Sequence, residues 1–129
     1  MAGPRGGQMN FKDLASNLEM EKEEYLEMIG LFLETTTNDL TYLYSALERA
    51  EGPKAASAVH SIKGAAANLG LTEIHELAQK IEMEALKCHL DRDSGPILML
   101  QEKVDLVEEQ FKQESKAQGE KEKEQTRDG

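Results

Sequence analysis

The stretch Val59-His60-Ser61-Ile62-Lys63-Gly64-Ala65-Ala66-Ala67-Asn68-Leu69-Gly70 governs the interpretation of the whole chain. Its alanines are strong helix formers. Its apolar residues recur at the three- and four-residue spacing of one helical face, namely Ala56, Val59, Ile62, Ala66 and Leu69. The pattern predicts a helix from about residue 53 to residue 69, ended by Gly70 in the left-handed conformation. His60 then lies about one residue off the buried stripe, and Lys63 and Gly64 project from its own face.

His60 has neighbours that suit a phosphoryl group. A neutral imidazole has a pKa near 6.5, so at neutral pH a free ring nitrogen can attack phosphorus. Lys63 can offer its ammonium to the phosphoryl oxygens as a mobile point charge. Gly64 in a helix interior costs about 1 kcal/mol relative to alanine, which suggests that the missing side chain has a use. The simplest use is room for a partner over His60, and Ala67 lies on the same face one turn further.

Four other segments have helical periodicity. Asn10 is suited to cap a short helix carrying Phe11, Leu14 and Leu18. A long helix is expected from about residue 21 to residue 50, after which Gly52 ends one helix and Pro53 opens the next.

The C-terminal half continues this pattern. Thr72 is predicted to cap a helix whose apolar stripe runs through residues 74–88, and residues 91–96 carry turn and capping residues. A last helix follows, with five apolar residues on one side: Ile97, Leu100, Val104, Val107 and Phe111.

These segments predict an all-α fold, since four long amphipathic helices with short connections can bury their stripes against one another. We expect an antiparallel four-helix bundle with a short additional N-terminal helix. Residues 1–9 are predicted to be a flexible N-terminus, residues 10–112 the bundle domain and residues 113–129 a charged, disordered tail. A monomer is expected because one bundle can bury all four stripes.

Composition excludes several classes of function. The 129 residues carry a formal net charge of −10, which disfavours nucleic acid and anionic membrane surfaces as partners. No apolar run approaches the roughly 20 residues that span a bilayer, and no secretory signal is visible. Cys88 is the single cysteine, so an internal disulfide is excluded and a cytoplasmic location is expected.

A di-metal carboxylate enzyme is the natural alternative for a helical bundle. That class needs a glutamate three residues before a histidine on two helices. The residues three before the three histidines are Ser57, Thr72 and Leu86, so the pattern fails at each. We therefore expect no metal and no cofactor.

His60-Ser61-Ile62-Lys63-Gly64, followed by residues 65–70, closely resembles the signature of histidine-containing phosphotransfer (HPt) domains. These are four-helix modules of multistep two-component phosphorelays. The resemblance extends upstream through residues 25–34 and downstream through residues 77–82, so it covers most of the chain. It implies no ATP site and no catalysis by the domain alone, because a partner kinase or receiver domain catalyses the transfer.

The resemblance also implies roles for individual residues. His60 would be the phosphoacceptor, Lys63 a cation that stabilises the phosphoryl group, and Gly64 the clearance for a receiver domain. Ala67 is expected to belong to the same partner-binding surface because it shares the face of His60 and Gly64 one turn further. The family often places a glutamine or glutamate on the next helix, and Glu82 occupies that position. A carboxylate accepting a hydrogen bond from Nδ1–H would leave Nε2 as the attacking nitrogen.

The implied partners are a response-regulator receiver domain and a sensor histidine kinase. Two alternatives stay open at this point. One is a structural helical adaptor, which leaves His60, Lys63 and Gly64 unexplained. The other is an HPt-like module that binds receiver or kinase domains without being phosphorylated.

Overall fold

A computed structural model of the chain describes residues 10–87 and 89–128, with the side chains of residues 118 and 120–128 outside that description. It contains five helices: α1 (Phe11–Asn17), α2 (Lys22–Glu48), α3 (Gly52–Asn68), α4 (Thr72–Leu86) and α5 (Gly95–Asp128). All regular structure in the described ranges is helical, which confirms the all-α prediction. The predicted flexible segment 1–9 lies outside the described residues.

The four long helices share one core. α2 packs against α3, α3 against α4, α4 against α5 and α5 against α2, while the short α1 packs against α2. The Tyr25 hydroxyl of α2 donates a 2.6 Å hydrogen bond to the Leu69 carbonyl just after α3. This bond joins the start of α2 to the end of α3, so the two helices run in opposite directions.

Helix ends follow the predicted chemistry in two places. Asn10 caps α1, because its side-chain oxygen accepts a hydrogen bond from the Asp13 backbone at 3.1 Å. Gly70 has φ of 73°, and the Leu71 amide donates to the Ala66 carbonyl across it. This is the left-handed helix end predicted for Gly70.

Two other helix ends differ from expectation. The chain leaves α2 through Ala50, with φ of 57°, whereas Gly52 is already the first residue of α3 and is buried. Pro53 does lie in the first turn of α3. The prediction that Thr72 caps α4 is wrong: Leu71 is the N-cap residue, and the Thr72 hydroxyl is 3.4 Å from the Gly70 carbonyl behind it.

The charged segment predicted to be disordered is helical where it is described, because α5 continues to Asp128. Glutamate, lysine and glutamine are good helix formers, and no proline interrupts the segment. Glu114 also receives an ion pair from Lys22 of α2 at 2.5 Å and a hydrogen bond from Gln110 at 2.9 Å. The ion pair with Lys22 ties α5 to the body of the molecule beyond residue 112, while the bond from Gln110 lies within α5.

None of the described helices combines the length and the apolar character that crossing a bilayer requires.

Candidate functional site

His60 lies on the outer surface of α3, where its side chain is 66% exposed. Its Nδ1 is 3.0 Å from Oε2 of Glu82 on α4. The other ring nitrogen, Nε2, has no hydrogen-bond partner among the described residues. A carboxylate on one nitrogen and solvent at the other is the arrangement that fixes an Nδ1–H tautomer, because an ionised carboxylate only accepts hydrogen bonds.

Glu82 bridges His60 and Lys63. Its second oxygen, Oε1, is 2.8 Å from the Lys63 ammonium, and the Glu82 side chain is only 21% exposed. The hydrogen bond from Lys63 is the main cause that lowers the pKa of Glu82, and the hydrogen bond from His60 adds to it against the opposing effect of burial. Glu82 is therefore an ionised acceptor with each oxygen committed to a different cation or donor.

Gly64 and Ala67 continue the exposed face of α3. A Cβ built on Gly64 would meet nothing within 4 Å outside its own helix backbone, and Ala67 is exposed. Tight helix packing therefore does not require glycine at position 64. The small residues of this face therefore border solvent or a bound partner.

Sequence reasoning did not single out His75. Its Nδ1 is 3.3 Å from the Lys63 carbonyl, so the half-buried ring joins α4 to the backbone of α3 beside the site. His75 precedes Glu82 by seven residues, which is about two helical turns. That spacing was the available signal that both side chains point towards α3.

Met28 and Leu31 are exposed apolar side chains of the long helix α2, whereas Leu33 is buried in the core. No specific motif in the sequence distinguishes the exposed Met28 and Leu31 from the buried Leu33.

The described residues hold no group of three or more histidine, cysteine, aspartate or glutamate side chains suited to a metal ion. The chemistry that the site offers is nucleophilic. The Nε2 nitrogen of His60 is exposed, and Glu82 fixes the orientation of the ring through Nδ1. The Lys63 ammonium group binds the same carboxylate.

Comparisons with known proteins agree with this geometry. The family model described as Hpt domain matches residues 27–117, which run from α2 into α5 and include the whole site. A crystal structure of histidine-containing phosphotransfer protein B (HptB) from Pseudomonas aeruginosa PAO1 matches with a TM-score of 0.71 and 25% sequence identity. The match covers 84% of this chain and 95% of that chain. No curated protein sequence matches. Because the family model spans well over half of the 129 residues, the chain belongs to the Hpt domain family.

Proposed function

We propose that the protein is a histidine phosphotransfer intermediate in a multistep two-component phosphorelay. His60 accepts a phosphoryl group from a sensor histidine kinase or a receiver aspartate and passes it to the aspartate of another receiver domain. One observation carries the proposal: the exposed His60 ring has Nδ1 held by Glu82 and Nε2 open to solvent.

The transfer is a substitution at phosphorus. The Nε2 lone pair forms the new N–P bond while the O–P bond of the donor acyl phosphate breaks, and the donor aspartate leaves as a carboxylate. The ring keeps its Nδ1 proton and becomes cationic, and the Glu82 carboxylate 3.0 Å away compensates that charge. Transfer onwards reverses each step, so no oxidant, reductant or further proton source is needed.

Glu82 acts on the imidazole ring of His60, and Lys63 acts on the phosphoryl oxygens. Glu82 is a positioning residue, since it orients His60 and sets which nitrogen attacks. Lys63 is bound to Glu82 before transfer, at 2.8 Å. A phosphoryl group of charge near −2 attracts the same ammonium, so Lys63 stabilises the phosphorylated form by turning towards it.

The surroundings suit a carrier whose transfer is catalysed by its partner. Gly64 and Ala67 leave clearance beside His60 for a receiver domain. The scaffold that we propose is an antiparallel four-helix bundle, α2 to α5, with α1 as the additional N-terminal helix, acting as a cytoplasmic monomer.

Phosphorylation by a small donor tests the proposal without requiring any partner. The protein and a His60→Gln variant are incubated with phosphoramidate, and the products are analysed by intact mass and by site mapping. We expect an acid-labile, base-stable adduct on His60 of the parent protein and none on the variant. Helicity and melting should be equal in the two proteins because the His60 side chain is exposed.

The opposite result would contradict the proposal. Absence of an adduct, under conditions that label a control HPt domain, would favour an adaptor that binds receiver or kinase domains without transfer. Receiver binding would then become the activity to measure.

A further inference from the structure

The candidate site is built across α3 and α4, which share the most extensive contact among the described helices. His60 and Lys63 belong to α3, whereas Glu82 belongs to α4. The two contacts of Glu82, at 3.0 Å and 2.8 Å, can form only while the helices keep one axial register. A slide of one residue along the axis would move Glu82 by about 1.5 Å, which is enough to break a hydrogen bond. Whatever fixes this register therefore positions His60 for reaction.

Packing defines the register weakly, because much of the buried surface of α3 is small. Most of the residues that α3 buries are glycine or alanine, namely Gly52, Ala55, Ala56, Ala58 and Ala66. The buried residues of α4 include two alanines, Ala78 and Ala85. Small side chains form shallow ridges, which interlock less than large ones and resist sliding less. Polar contacts between the two helices therefore have a larger share in setting the register.

Three polar contacts join α3 to α4 in the described part of the chain. Two of them are the contacts of Glu82 with His60 and Lys63. In the third, Nδ1 of the half-buried His75 is 3.3 Å from the Lys63 carbonyl. A carbonyl oxygen has two lone pairs, so it can accept from His75 while keeping its helical bond. Because a carbonyl only accepts hydrogen bonds, His75 must carry a proton on Nδ1.

The contact of His75 differs from the other two in its partner. It holds the backbone of α3, whereas the contacts of Glu82 hold mobile side chains. In the function proposed above, Lys63 turns from Glu82 towards the phosphoryl group, so one of the three contacts is lost when His60 is phosphorylated. The bond from His75 depends on neither side chain and is available in both states.

We propose that His75 is a positioning residue, which holds α4 in the register that aims Glu82 at His60. The bond from His75 to the Lys63 carbonyl is the fixed contact between the helices, and the contacts of Glu82 are the adjustable ones. The inference rests on the phosphotransfer function proposed above and adds a residue to it. His75 acts on the reaction only through Glu82.

Ring ¹⁵N chemical shifts of the full-length, unphosphorylated protein give the first test, which needs no variant to fold. We expect His75 to be in the Nδ1–H form, because the Lys63 carbonyl accepts from that nitrogen. If His75 is mainly in the Nε2–H form, the proposal is wrong, since that tautomer has no Nδ1 proton to donate.

Substitutions at position 75 give the second test. His75→Leu keeps a large side chain without the donor, whereas His75→Asn keeps a donor near the place of Nδ1. For His75→Leu we expect more of the Nε2–H form at His60 and labelling by phosphoramidate about threefold slower, as for a slightly misplaced reacting group. His75→Asn should restore both quantities towards the parent values. His89→Leu, which removes an exposed histidine at the other end of α4, is the matched control and should change neither.

These readouts separate positioning from stability. If His75→Leu lowers the melting temperature but leaves the His60 tautomer unchanged, His75 is merely structural and the proposal fails. Equal effects of His75→Leu and His75→Asn would also overturn it, because the hydrogen bond would then be irrelevant. Failure to label His60 in the parent protein would instead refute the phosphotransfer function. The ring shifts of His60 and His75 would still decide the positioning role, since they are measured without phosphorylation.

Discussion

At the scale of single residues, the site depends on how Glu82 divides its two oxygens. One accepts from His60 Nδ1 at 3.0 Å and the other from Lys63 at 2.8 Å. His60, Lys63 and Gly64 lie within one turn of α3, so helical periodicity alone could place them together. Glu82 lies 22 residues after His60, and its position depends on the register between α3 and α4. The pairing of Lys63 with Glu82 could not be predicted from the sequence, because a long flexible side chain binds the partner that helix packing places within its reach.

Removing the Glu82 carboxylate should change the tautomer of His60. Neutral histidine in water favours the Nε2–H form, so Glu82→Ala should raise that form and lower the rate of phosphoramidate labelling by about tenfold, an effect typical of losing a group that orients a histidine. Glu82→Gln keeps one acceptor and should lie between. ¹⁵N chemical shifts of the ring report the tautomer. Slower labelling with an unchanged tautomer would contradict the positioning role.

The lowered pKa of Glu82 predicts how stability responds to acid. The hydrogen bond from Lys63 is the first cause of that shift, and the ordinary pKa is 4.5. A carboxyl group whose folded-state pKa is depressed contributes stability above its unfolded pKa and loses that contribution as pH falls through the folded value. The excess melting temperature of the parent over Glu82→Gln should therefore shrink as the pH falls from neutral through 4.5 and below. A constant difference across that range would show that the Lys63 pair contributes nothing to folding.

Filling the space over Gly64 should affect transfer and leave the fold intact. A Cβ there meets nothing within 4 Å outside its own helix backbone, and replacing a helical glycine adds about 0.5–1 kcal/mol of stability. Gly64→Gln should thus melt no lower than the parent and label normally with phosphoramidate, yet exchange phosphoryl groups with a receiver about tenfold more slowly. Gly64→Ala is the control with a smaller obstruction. An unaltered receiver rate for the glutamine variant would defeat the clearance argument.

At the scale of secondary structure elements, the periodic apolar stripes predicted the existence of every helix, while some of the ends could not be predicted. The Gly52-Pro53 pair suggested that Gly52 ends α2, but Ala50 adopts the left-handed conformation instead. Gly52 is buried at the start of α3, where its small size suits packing. Local turn preferences compete there with the packing of two helices, and the packing is invisible in the local sequence.

A pair of substitutions tests the interpretation that the chain adopts the left-handed conformation at these helix ends. Ala50, at φ of 57°, has the strain of about 1–2 kcal/mol that a left-handed alanine carries. Ala50→Gly removes it and costs about 0.5–1 kcal/mol in unfolded-state entropy, so we expect a net gain of about 0.5–1 kcal/mol. Gly70→Ala, at φ of 73°, should lose about 1 kcal/mol. Urea unfolding with an unchanged m-value measures both, and a lower midpoint for Ala50→Gly would contradict the strain.

At the scale of the whole molecule, the four long helices close a ring in which each contacts two others. The apolar stripes predicted most of the buried residues, since a stripe in the sequence becomes a core face once helices pack. The continuation of α5 past residue 112 was missed. A polar segment has no stripe, and only the Lys22–Glu114 pair shows that its beginning is attached to α2.

The centre of the core contains a polar group that offers a last test. Thr36 of α2 is fully buried, and its hydroxyl has no hydrogen-bond partner among the described residues. A buried hydroxyl without a partner has lost its hydrogen bonds to water and gained none within the protein. Valine has nearly the same shape as threonine and lacks the hydroxyl. Thr36→Val should therefore stabilise the protein by about 1 kcal/mol in urea unfolding.

Thr37→Val is the matched control for that test. The Thr37 side chain is exposed, and its hydroxyl donates to the Leu33 carbonyl at 2.8 Å. This control should change stability by no more than about 0.5 kcal/mol. If Thr36→Val instead lowers the midpoint, the hydroxyl must bind a buried water molecule, because only a satisfied hydrogen bond would make its removal costly. The sign of this one substitution thus distinguishes a dry core from a hydrated one.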